Sequence, residues 1–452
     1  MKQFFRTAPG TVLCCLAVFA GTLTVLWLAL LLSVCVPNDR TEANFEKSAL
    51  LYAEQEPYEL TGDSLNDIGD NYADVILLGV AWNMGRQDPL TGSLVTAYYD
   101  GEERGENYGL YSAVTEDTPA NMDYTRYWHG GALFVRLLMP FTDADGIKTI
   151  GFVFLCLLLA FSCVWLVRGK HADLALLLLL SMTAVQFWNI RLSMEYQSTF
   201  ILGFLFLPLF LYAERRGDRP LLLLAVVSGV SASFFDFLTT ETVTILLPLA
   251  VCAAVRAKEK RFGTFSGTLR SFLGIGMAWL GSYGMTFVVK WAAASAVSGE
   301  NAFRQAFSSV GERIGGNIAD FAEPPDNIFS APLANLGAMF GAQARLDYGR
   351  IALGVGLSLL LLFSVWYLFR THDRQSGAAG ILLLLGAAVL LRFFVLNNHA
   401  YLHCAFTYRA LVTTVFCLLA ALRLNIRLPM SRPEKNGQNG RTDRQTKKGG
   451  RR

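Results

Sequence analysis

Long apolar runs separated by short polar turns recur along most of this chain of 452 residues. About 20 helical apolar residues cross the hydrocarbon core of a bilayer. The runs are continuous rather than alternating, which favours helices, because lipid tolerates only structures that satisfy their own backbone hydrogen bonds. The pattern therefore predicts an all-α polytopic membrane protein with about ten transmembrane helices. The runs lie at 11–36, 147–168, 172–190, 197–214, 219–236, 242–256, 270–294, 351–370, 377–396 and 404–424.

Two long polar segments interrupt the pattern, and a polar tail follows it. Together with the three apolar regions, they give six parts. The first run could be a signal peptide, but it is long and has no small-residue cleavage site, so we interpret it as an anchor. The predicted parts are the N-terminus with the first transmembrane helix (1–36), a large acidic loop (37–146), helices two to seven (147–295), an amphipathic loop (296–349), helices eight to ten (350–424) and a basic disordered tail (425–452).

The positive charges predict the orientation of the chain in the membrane. Short loops rich in Lys and Arg mark the cytoplasmic side, and "VRGKH", "ERRGDR" and "RAKEKR" fall on the same side as both termini when ten spans are counted. The two long loops then lie outside. We therefore expect a multi-pass protein of the cell membrane with both termini in the cytoplasm and two extracytoplasmic loops.

Charge is distributed unevenly around the overall net charge of +3. The tail from Arg423 onward holds ten Lys/Arg against two acids, whereas residues 37–146 hold 20 acids against six Lys/Arg. A basic tail of this kind suits contact with anionic membrane lipid better than binding of nucleic acid. No nucleic-acid partner is expected.

Several function classes find no support in the sequence. All eight cysteines lie in or beside apolar runs, which predicts packing roles rather than a disulfide framework or a zinc site. The chain has no P-loop, no dinucleotide-binding fingerprint, no GxSxG motif and no HExxH motif. An ATP-driven mechanism is therefore not expected.

Ionisable side chains concentrate at the predicted outer ends of the spans. Such groups are costly in a membrane and usually face a polar cavity or a partner. We expect the cations among them to hold a phosphate or diphosphate, because guanidinium groups bind phosphate with two parallel hydrogen bonds. The alternative is that each cation reaches the interface alone or pairs locally, as Arg191 could with Glu195. The candidate substrate-binding residues at this level are Arg191, Lys290, Arg392, Arg409, His399, His403 and Glu241.

The stretch "FFDFLTTET" raises a related question, because it places Asp236 and Glu241 between two apolar runs. We expect Asp236 to face the same cavity as Arg392 and Arg409 and to orient a cation or a sugar hydroxyl. The alternative is that Asp236 only caps a helix end.

The first loop supplies further candidates. Asp63, Asp67, Asp70 and Asp74 would lie on one face if their stretch were helical. Asp74 is the preferred candidate because it directly precedes an apolar run. Trp128 and His129, in "RYWHG", have the flat rings and polar edges that suit a sugar, although an interfacial aromatic belt explains them equally well.

The layout resembles the glycosyltransferase C superfamily of membrane enzymes. Like those enzymes, the chain combines an N-terminal span, a large acidic first loop and many further spans. The pieces "RYWHG", "DFLTTE" and "NNHAYLHCAFTYR" also resemble bacterial multi-span proteins associated with surface polysaccharide assembly. The family's base or metal ligand is an acid soon after the first span, but Asp39 and Glu42 do not form the usual pair here. Asp70 and Asp74 in "DNYAD" are the substitutes that we prefer.

The resemblance implies a glycosyltransferase that moves a sugar from a polyprenyl-phosphate-linked donor to a glycan or lipid acceptor on the outer face of the membrane. Asp74, Asp70 and Asp236 are the expected catalytic residues. No cofactor is assigned, and a divalent metal, Mg²⁺ or Mn²⁺, stays open. The alternatives are a transporter or flippase of lipid-linked glycan precursors and a non-catalytic accessory subunit.

Overall fold

The computed structural model describes residues 8–62, 65–101, 105–236, 238–314, 327–340 and 376–425, with single residues 325, 356, 359, 363 and 366. These parts are mostly helical, and their one sheet is a pair of short antiparallel strands, β1 (Ala97–Tyr98) and β2 (Met122–Asp123). The helices are α1 (Ala8–Val34), α2 (Glu42–Ala53), α3 (Asn71–Met84), α4 (Pro89–Leu94), α5 (Glu106–Thr115), α6 (Gly131–Leu138), α7 (Ala144–Arg168), α8 (Ala172–Ala184), α9 (Met194–Glu214), α10 (Asp218–Phe235), α11 (Val243–Lys258), α12 (Phe265–Ser298), α13 (Ala302–Ile314), α14 (Ser330–Met339), α15 (Ser376–Val395), α16 (Asn397–Leu402), α17 (Cys404–Thr407) and α18 (Val412–Asn425).

Seven helical stretches among the described residues are long and apolar enough to cross a membrane. They correspond to seven of the ten predicted spans. They are Pro9–Val34, Ala144–Arg168, Met194–Glu214, Asp218–Phe235, Phe265–Ser298, Gly377–Val395 and Cys404–Asn425. The mainly helical fold is therefore confirmed, with seven candidate membrane-spanning helices among the described residues.

The predicted count of ten is not reproduced, for three different reasons. The run 172–190 forms only the 13-residue helix α8, because Gln186 adopts a left-handed conformation with φ 52° and a 3-10 helix follows. The run 242–256 becomes the 16-residue α11, roughly 24 Å long at 1.5 Å per residue. The run 351–370 and the tail 426–452 lie outside the described residues, apart from four helical positions in the former.

Local sequence signals explain where the long helices begin and end. Asp143 and Thr264 cap α7 and α12 by accepting bonds from Gly146 N at 2.9 Å and Gly267 N at 3.2 Å. Gly217, with φ 109°, turns the chain between α9 and α10, a conformation that L side chains rarely adopt. These signals produce antiparallel neighbours joined by short turns.

The first loop folds as a layer of short helices, and not as one acidic helix. Asp67 ends a 3-10 helix, Asp70 caps α3 and Asp74 lies in its first turn, so the shared acidic face is absent from the described stretch; Asp63 lies outside it. The layer shares a hydrophobic core with α1 and with Val230 and Phe234 of α10. Arg136 fastens it there, donating to Ser33 O at 3.0 Å and Ala81 O at 2.8 Å. The loop is therefore bound to the spanning helices.

The second loop also contains the expected amphipathic helix, as α13, although α12 extends to Ser298 before it begins. Gln305 of α13 receives a bond from Thr125 Oγ1 at 2.8 Å, which joins the two loops. Asn335 of α14 donates to Ala400 O at 2.7 Å and thereby joins α14 to α16. Both loops consequently cover the same end of the helix bundle.

The opposite end, which we call the basic end, gathers three of the predicted cytoplasmic loops and the end of α18. It comprises residues 168–173, 214–219, 256–261 and Arg423, with ten Lys/Arg against four acids. Interhelical ion pairs bring these segments together. The pairs between segments are Glu214 with Arg256 and Arg261, Asp173 with Lys258 and Arg423, and Glu259 with Arg215; Arg261 also contacts Glu259 within its own segment.

Candidate functional site

The segment between α10 and α11 is held in one conformation by Asp236. Its carboxylate accepts bonds from Leu238 N at 3.0 Å, Thr239 N at 3.3 Å and Thr239 Oγ1 at 2.9 Å. Leu238 has φ 71°, which is unusual for a side chain of this size. The local capping alternative for Asp236 is therefore present in the structure, combined with a strained turn that needs support from outside.

Arg392, near the end of α15, supplies that support. Its Nε donates to Glu241 Oε1 at 2.8 Å, and its Nη2 donates to the carbonyl of Leu238. Both Arg392 and Glu241 are buried. Within the part of the chain that the structure describes, Arg392 Nη1 and Glu241 Oε2 have no hydrogen-bond partner. Since a buried unsatisfied polar atom is costly, this pair retains one donor and one acceptor for a ligand.

Glu195, in the first turn of α9, joins this turn from the other side. Its Oε1 lies 3.0 Å from Thr239 Oγ1, and the same hydroxyl, which has one proton to donate, lies 2.9 Å from Asp236. From the sequence, Glu195 was predicted only as a possible partner for Arg191. A carboxylate in the first turn of a membrane span was the signal that could have identified it.

Glu195 also lines an apolar groove of about 380 Å³. The groove lies between α3, α6, α7 and α9 and is closed at one side by Phe235. Much of its wall consists of side chains exposed on the apolar surface of the bundle, and Glu195 is the one acidic or basic residue among the lining residues. These wall residues include Phe134, Ile150, Phe154 and Leu205. The groove therefore connects the exposed apolar surface of the bundle with a carboxylate.

Asp70 and Arg409 form the second part of the site. Asp70 Oδ1 caps α3 by accepting a bond from Ala73 N at 3.0 Å, and burial raises the pKa of this carboxyl to about 7. Arg409 is 1% exposed, donates to Asn66 O at 3.2 Å and lies 4.6 Å from the ring centre of Tyr196. Its Nε has no partner among the described residues. Asp70 and Arg409 lie within electrostatic range of each other.

We call these residues the carboxylate–arginine cluster, defined as Asp70, Glu195, Asp236, Glu241, Arg392 and Arg409. Glu195 lies within electrostatic range of Asp70 and Asp236, and Asp236 within range of Glu241 and Arg392. Four acids face two arginines in a buried region, so full ionisation would leave two uncompensated negative charges. Such a group favours protonation of part of its acids, which lowers the excess negative charge beside the two arginines, and proton transfer is a chemistry that it can perform.

Asp74 lies beside the cluster but is fully engaged. Its oxygens accept bonds from Tyr52 Oη at 3.0 Å, Ser193 Oγ at 2.8 Å and Met194 N at 2.8 Å, and Lys148 Nζ lies 3.7 Å away. This residue was the preferred base in the sequence analysis. Its contacts instead fasten the first loop to the beginning of α9, which positions the neighbouring Glu195.

Lys290, Trp128 and His129 lie away from the cluster. Lys290 Nζ donates to Leu94 O at 2.7 Å, and Trp128 Nε1 donates to Thr286 O at 2.9 Å. His129 is 1% exposed, contacts Tyr124 O at 2.9 Å, and burial lowers its pKa to about 3. Lys290 and Trp128 therefore join the first loop to α12, whereas His129 bonds within the loop. Their expected contact with phosphate or sugar stays a prediction.

His399 and His403 lie one turn apart, with their ring centres separated by 4.7 Å. Burial lowers the pKa of both imidazoles, to about 4 for His403, so both are neutral at pH 7. Arg392 is within electrostatic range of both rings. The two histidines therefore border the cluster as neutral hydrogen-bonding groups.

Arg191 does not join the cluster or pair with Glu195. The Arg191 side chain is 51% exposed and lies 3.7 Å from Asp145. The expected i,i+4 contact fails because Ser193 is extended, with φ −142° and ψ 147°, so Arg191 and Glu195 do not share a helix. The four cations are thus divided, with Arg392 and Arg409 in the cluster and Arg191 and Lys290 outside it.

The metal alternative gains no ligand set within the described parts of the chain, where no group of three or more His, Cys, Asp or Glu side chains could hold an ion. Of the sequence's DxD pair, Asp143 caps α7 and bonds Lys47 at 2.7 Å, while Asp145 faces Arg191. Both are engaged at the surface.

Comparison of the chain with protein-family models, with curated proteins and with solved structures gives no match. The resemblance to glycosyltransferase C enzymes therefore stays a prediction.

Proposed function

We propose that this protein is a membrane glycosyltransferase that takes a sugar from a polyprenyl-phosphate-linked donor. The observation that supports this most directly is the position of Glu195, which lies both in a lipid-accessible apolar groove and in the buried carboxylate–arginine cluster. A donor of this class has a long apolar chain attached to a phosphate and a sugar. The groove suits the chain, and the cluster offers groups for the polar part.

The roles follow from the contacts. Glu195 accepts the proton of the acceptor hydroxyl as that oxygen attacks the anomeric carbon. The bond from the anomeric carbon to the phosphate oxygen breaks, and the polyprenyl phosphate leaves with its negative charge. Arg392 Nη1 and Arg409 Nε, which have no partner among the described residues, stabilise that charge. Asp236 and Glu241 position Arg392.

The acceptor is a glycan or a lipid on the side of the membrane that carries the two loops. We place that side outside the cell, with both termini in the cytoplasm, because the basic end contains the loops that are rich in Lys and Arg.

A transporter of lipid-linked precursors receives less support. Helices α9, α10 and α11 carry no Asp, Glu, Lys or Arg in their described middle portions, between Glu195 and Glu214, Arg219 and Asp236, and Glu241 and Arg256. A polar path for a sugar headgroup would need such groups, or waters and amides in their place, along the bundle.

The test is transfer by the purified protein in liposomes with polyprenyl-phosphate mannose or polyprenyl-phosphate glucose, together with lipids extracted from its source membranes. Free polyprenyl phosphate is measured. Glu195→Gln should reduce its formation by roughly 10²-fold or more, the scale of losing a positioned general base. Asp145→Asn, a matched change at an exposed acid outside the cluster, should remain close to the wild-type rate. Equal rates for wild type and Glu195→Gln, or no product from wild type with either donor, would reject the proposal.

A further inference from the structure

The basic end contains a second cavity, of about 270 Å³, that the proposed reaction does not use. It lies between the ends of α7, α9 and α11. Trp165, Leu211 and Val255 form part of its wall, and Arg168, His171 and Arg215 supply polar atoms. The cavity is therefore apolar on one side and cationic on the other.

Arg168 and Arg215 differ from the other arginines of this end in their ion pairing. Arg256 and Arg261 are taken up by Glu214, at 2.7 Å each. Arg168 has no ion-pair or hydrogen-bond partner in the described parts of the chain. Among the described residues, the one ion-pair partner of Arg215 is Glu259, at 3.1 Å, and Arg215 shares that carboxylate with Arg261 and His171. Both guanidinium groups therefore have N–H donors without a partner among the described residues.

His171 provides an independent observation. The His171 side chain is 7% exposed, and its Nε2 lies 3.1 Å from Glu259 Oε1. Its Nδ1 is buried and has no partner within the described chain. A buried nitrogen without a partner beside two arginines is explained if a ligand completes the site. Because Nε2 donates to Glu259, a hydroxyl group of the ligand can donate to Nδ1.

The surroundings of the cavity indicate a lipid ligand. Val164 and Val167 of α7 are about half exposed, and Trp165 is 39% exposed, at the point where the helix leaves its apolar stretch. Tryptophan is enriched at this level of a membrane. A soluble anion would use the arginines but not the apolar wall.

We propose that this cavity binds an anionic phospholipid, with its phosphate on Arg168 and Arg215 and its upper acyl carbons against Trp165, Leu211 and Val255. Guanidinium groups bind phosphate oxygens in a bidentate manner. The surplus of cations over acids at this end attracts the negative headgroup. The lipid would link α7, α9 and α11 at the basic end.

The test uses native mass spectrometry of the full-length protein with phosphatidylglycerol as the probe and phosphatidylcholine as the zwitterionic reference. Wild type should retain one phosphatidylglycerol in preference to phosphatidylcholine. The double variant R168Q/R215Q should bind it at least roughly tenfold more weakly, the scale of losing two surface cations near an anionic headgroup. R168K/R215K should recover part of the affinity.

R216Q is the matched control. Arg216 belongs to the same turn as Arg215, but its guanidinium lies 4.0 Å from the ring centre of Tyr212 and does not line the cavity. R216Q should bind phosphatidylglycerol like wild type. An equal loss in R216Q and R168Q/R215Q, or no loss in either, would overturn the proposal. So would thermal stabilisation by inorganic phosphate equal to that by phosphatidylglycerol, because the site would then bind a soluble anion.

Discussion

Glu214 and Glu241 show how differently the two ends of the bundle treat a buried glutamate. Both lie at helix ends, both are less than 9% exposed and both bind arginine. Glu214, at the basic end, has both oxygens occupied, by Arg256 and by the two nitrogens of Arg261. Among the described residues, Glu241, in the carboxylate–arginine cluster, has a partner for Oε1 alone, which is Arg392.

The difference separates a structural ion pair from a site. A buried charge pair contributes to stability only when further hydrogen bonds satisfy its remaining atoms. At Glu214 these bonds are present. At Glu241 and Arg392 one acceptor and one donor remain without partners among the described residues, which is explained if a ligand completes them.

Removal of Arg392 should have the largest effect on stability and on transfer. Arg392→Leu leaves Glu241 buried without its cation and should lower stability by about 3–5 kcal/mol. Transfer should fall by roughly 10²-fold or more. The double variant Glu241→Leu/Arg392→Leu should recover much of the stability and none of the transfer, measured by thermal melting in detergent and by polyprenyl phosphate release. Recovery of transfer in the double variant would show that the pair is only structural.

Asp236 tests whether the turn serves the arginine. The side chain of Asp236→Asn can still accept a bond from Leu238 N and hold the turn after α10, so melting should change little. The charge beside Arg392 is lost, and transfer should fall by roughly 10²-fold. Product formation is compared at matched protein levels in membranes. A normal rate would reduce Asp236 to a cap.

Glu214→Gln is the corresponding change at the basic end of the bundle. It replaces one carboxylate oxygen by an amide group and so removes charge-assisted hydrogen bonds to Arg256 and Arg261. The free energy of unfolding should fall by about 2–3 kcal/mol. Transfer per folded molecule should not change, because this end takes no part in the reaction. A loss of transfer without a loss of stability would contradict the division between the two ends.

The carboxyl of Asp70 should make stability depend on pH. Its folded pKa, about 7, lies above the usual value near 3.8 because it is buried, so the folded state binds the proton more tightly than the unfolded state. The stabilisation is therefore complete below about pH 4 and is lost as pH rises towards 7. Melting temperature should fall more steeply over this range in wild type than in Asp70→Asn, which still caps α3. Parallel pH profiles would argue against a buried protonated carboxyl.

Arg191 gives the smallest expected effect. Its pair with Asp145 is half exposed on both sides, and such pairs contribute about 0–1 kcal/mol. Arg191→Gln should therefore melt and react like wild type in the same two assays. A large loss of transfer would return Arg191 to the phosphate-binding group from which the structure separates it.

The sequence predicted the long apolar helices best because long apolar runs can be recognised from the local sequence alone. It also predicted that Asp236, Glu241, Arg392 and Arg409 lie at one level, since each borders a predicted span on the same side, and the structure contains the Glu241–Arg392 pair of this set. The roles of single residues could not be predicted in this way. Lys290 binds the carbonyl of Leu94, 196 positions away in sequence, and Asp74 binds Ser193, 119 positions away. Such contacts depend on how the first loop packs, which no local pattern encodes.

Glu195 shows the same limit at short range. Its spacing from Arg191 predicts a helical ion pair, but the extended conformation of Ser193 separates the two residues and turns Glu195 towards Thr239. Helical spacing rules apply only when one helix contains both residues.

In the proposed function, the groove and the cluster together bind a polyprenyl phosphate. The most direct measurement is an electron cryo-microscopy structure of the full-length protein with added polyprenyl phosphate. We expect the apolar chain in the groove lined by Phe134, Phe154 and Leu205, with the phosphate bonded to Arg392 or Arg409. A phosphate bound only at Arg168 and Arg215, or a groove left without lipid at saturating ligand, would contradict the account.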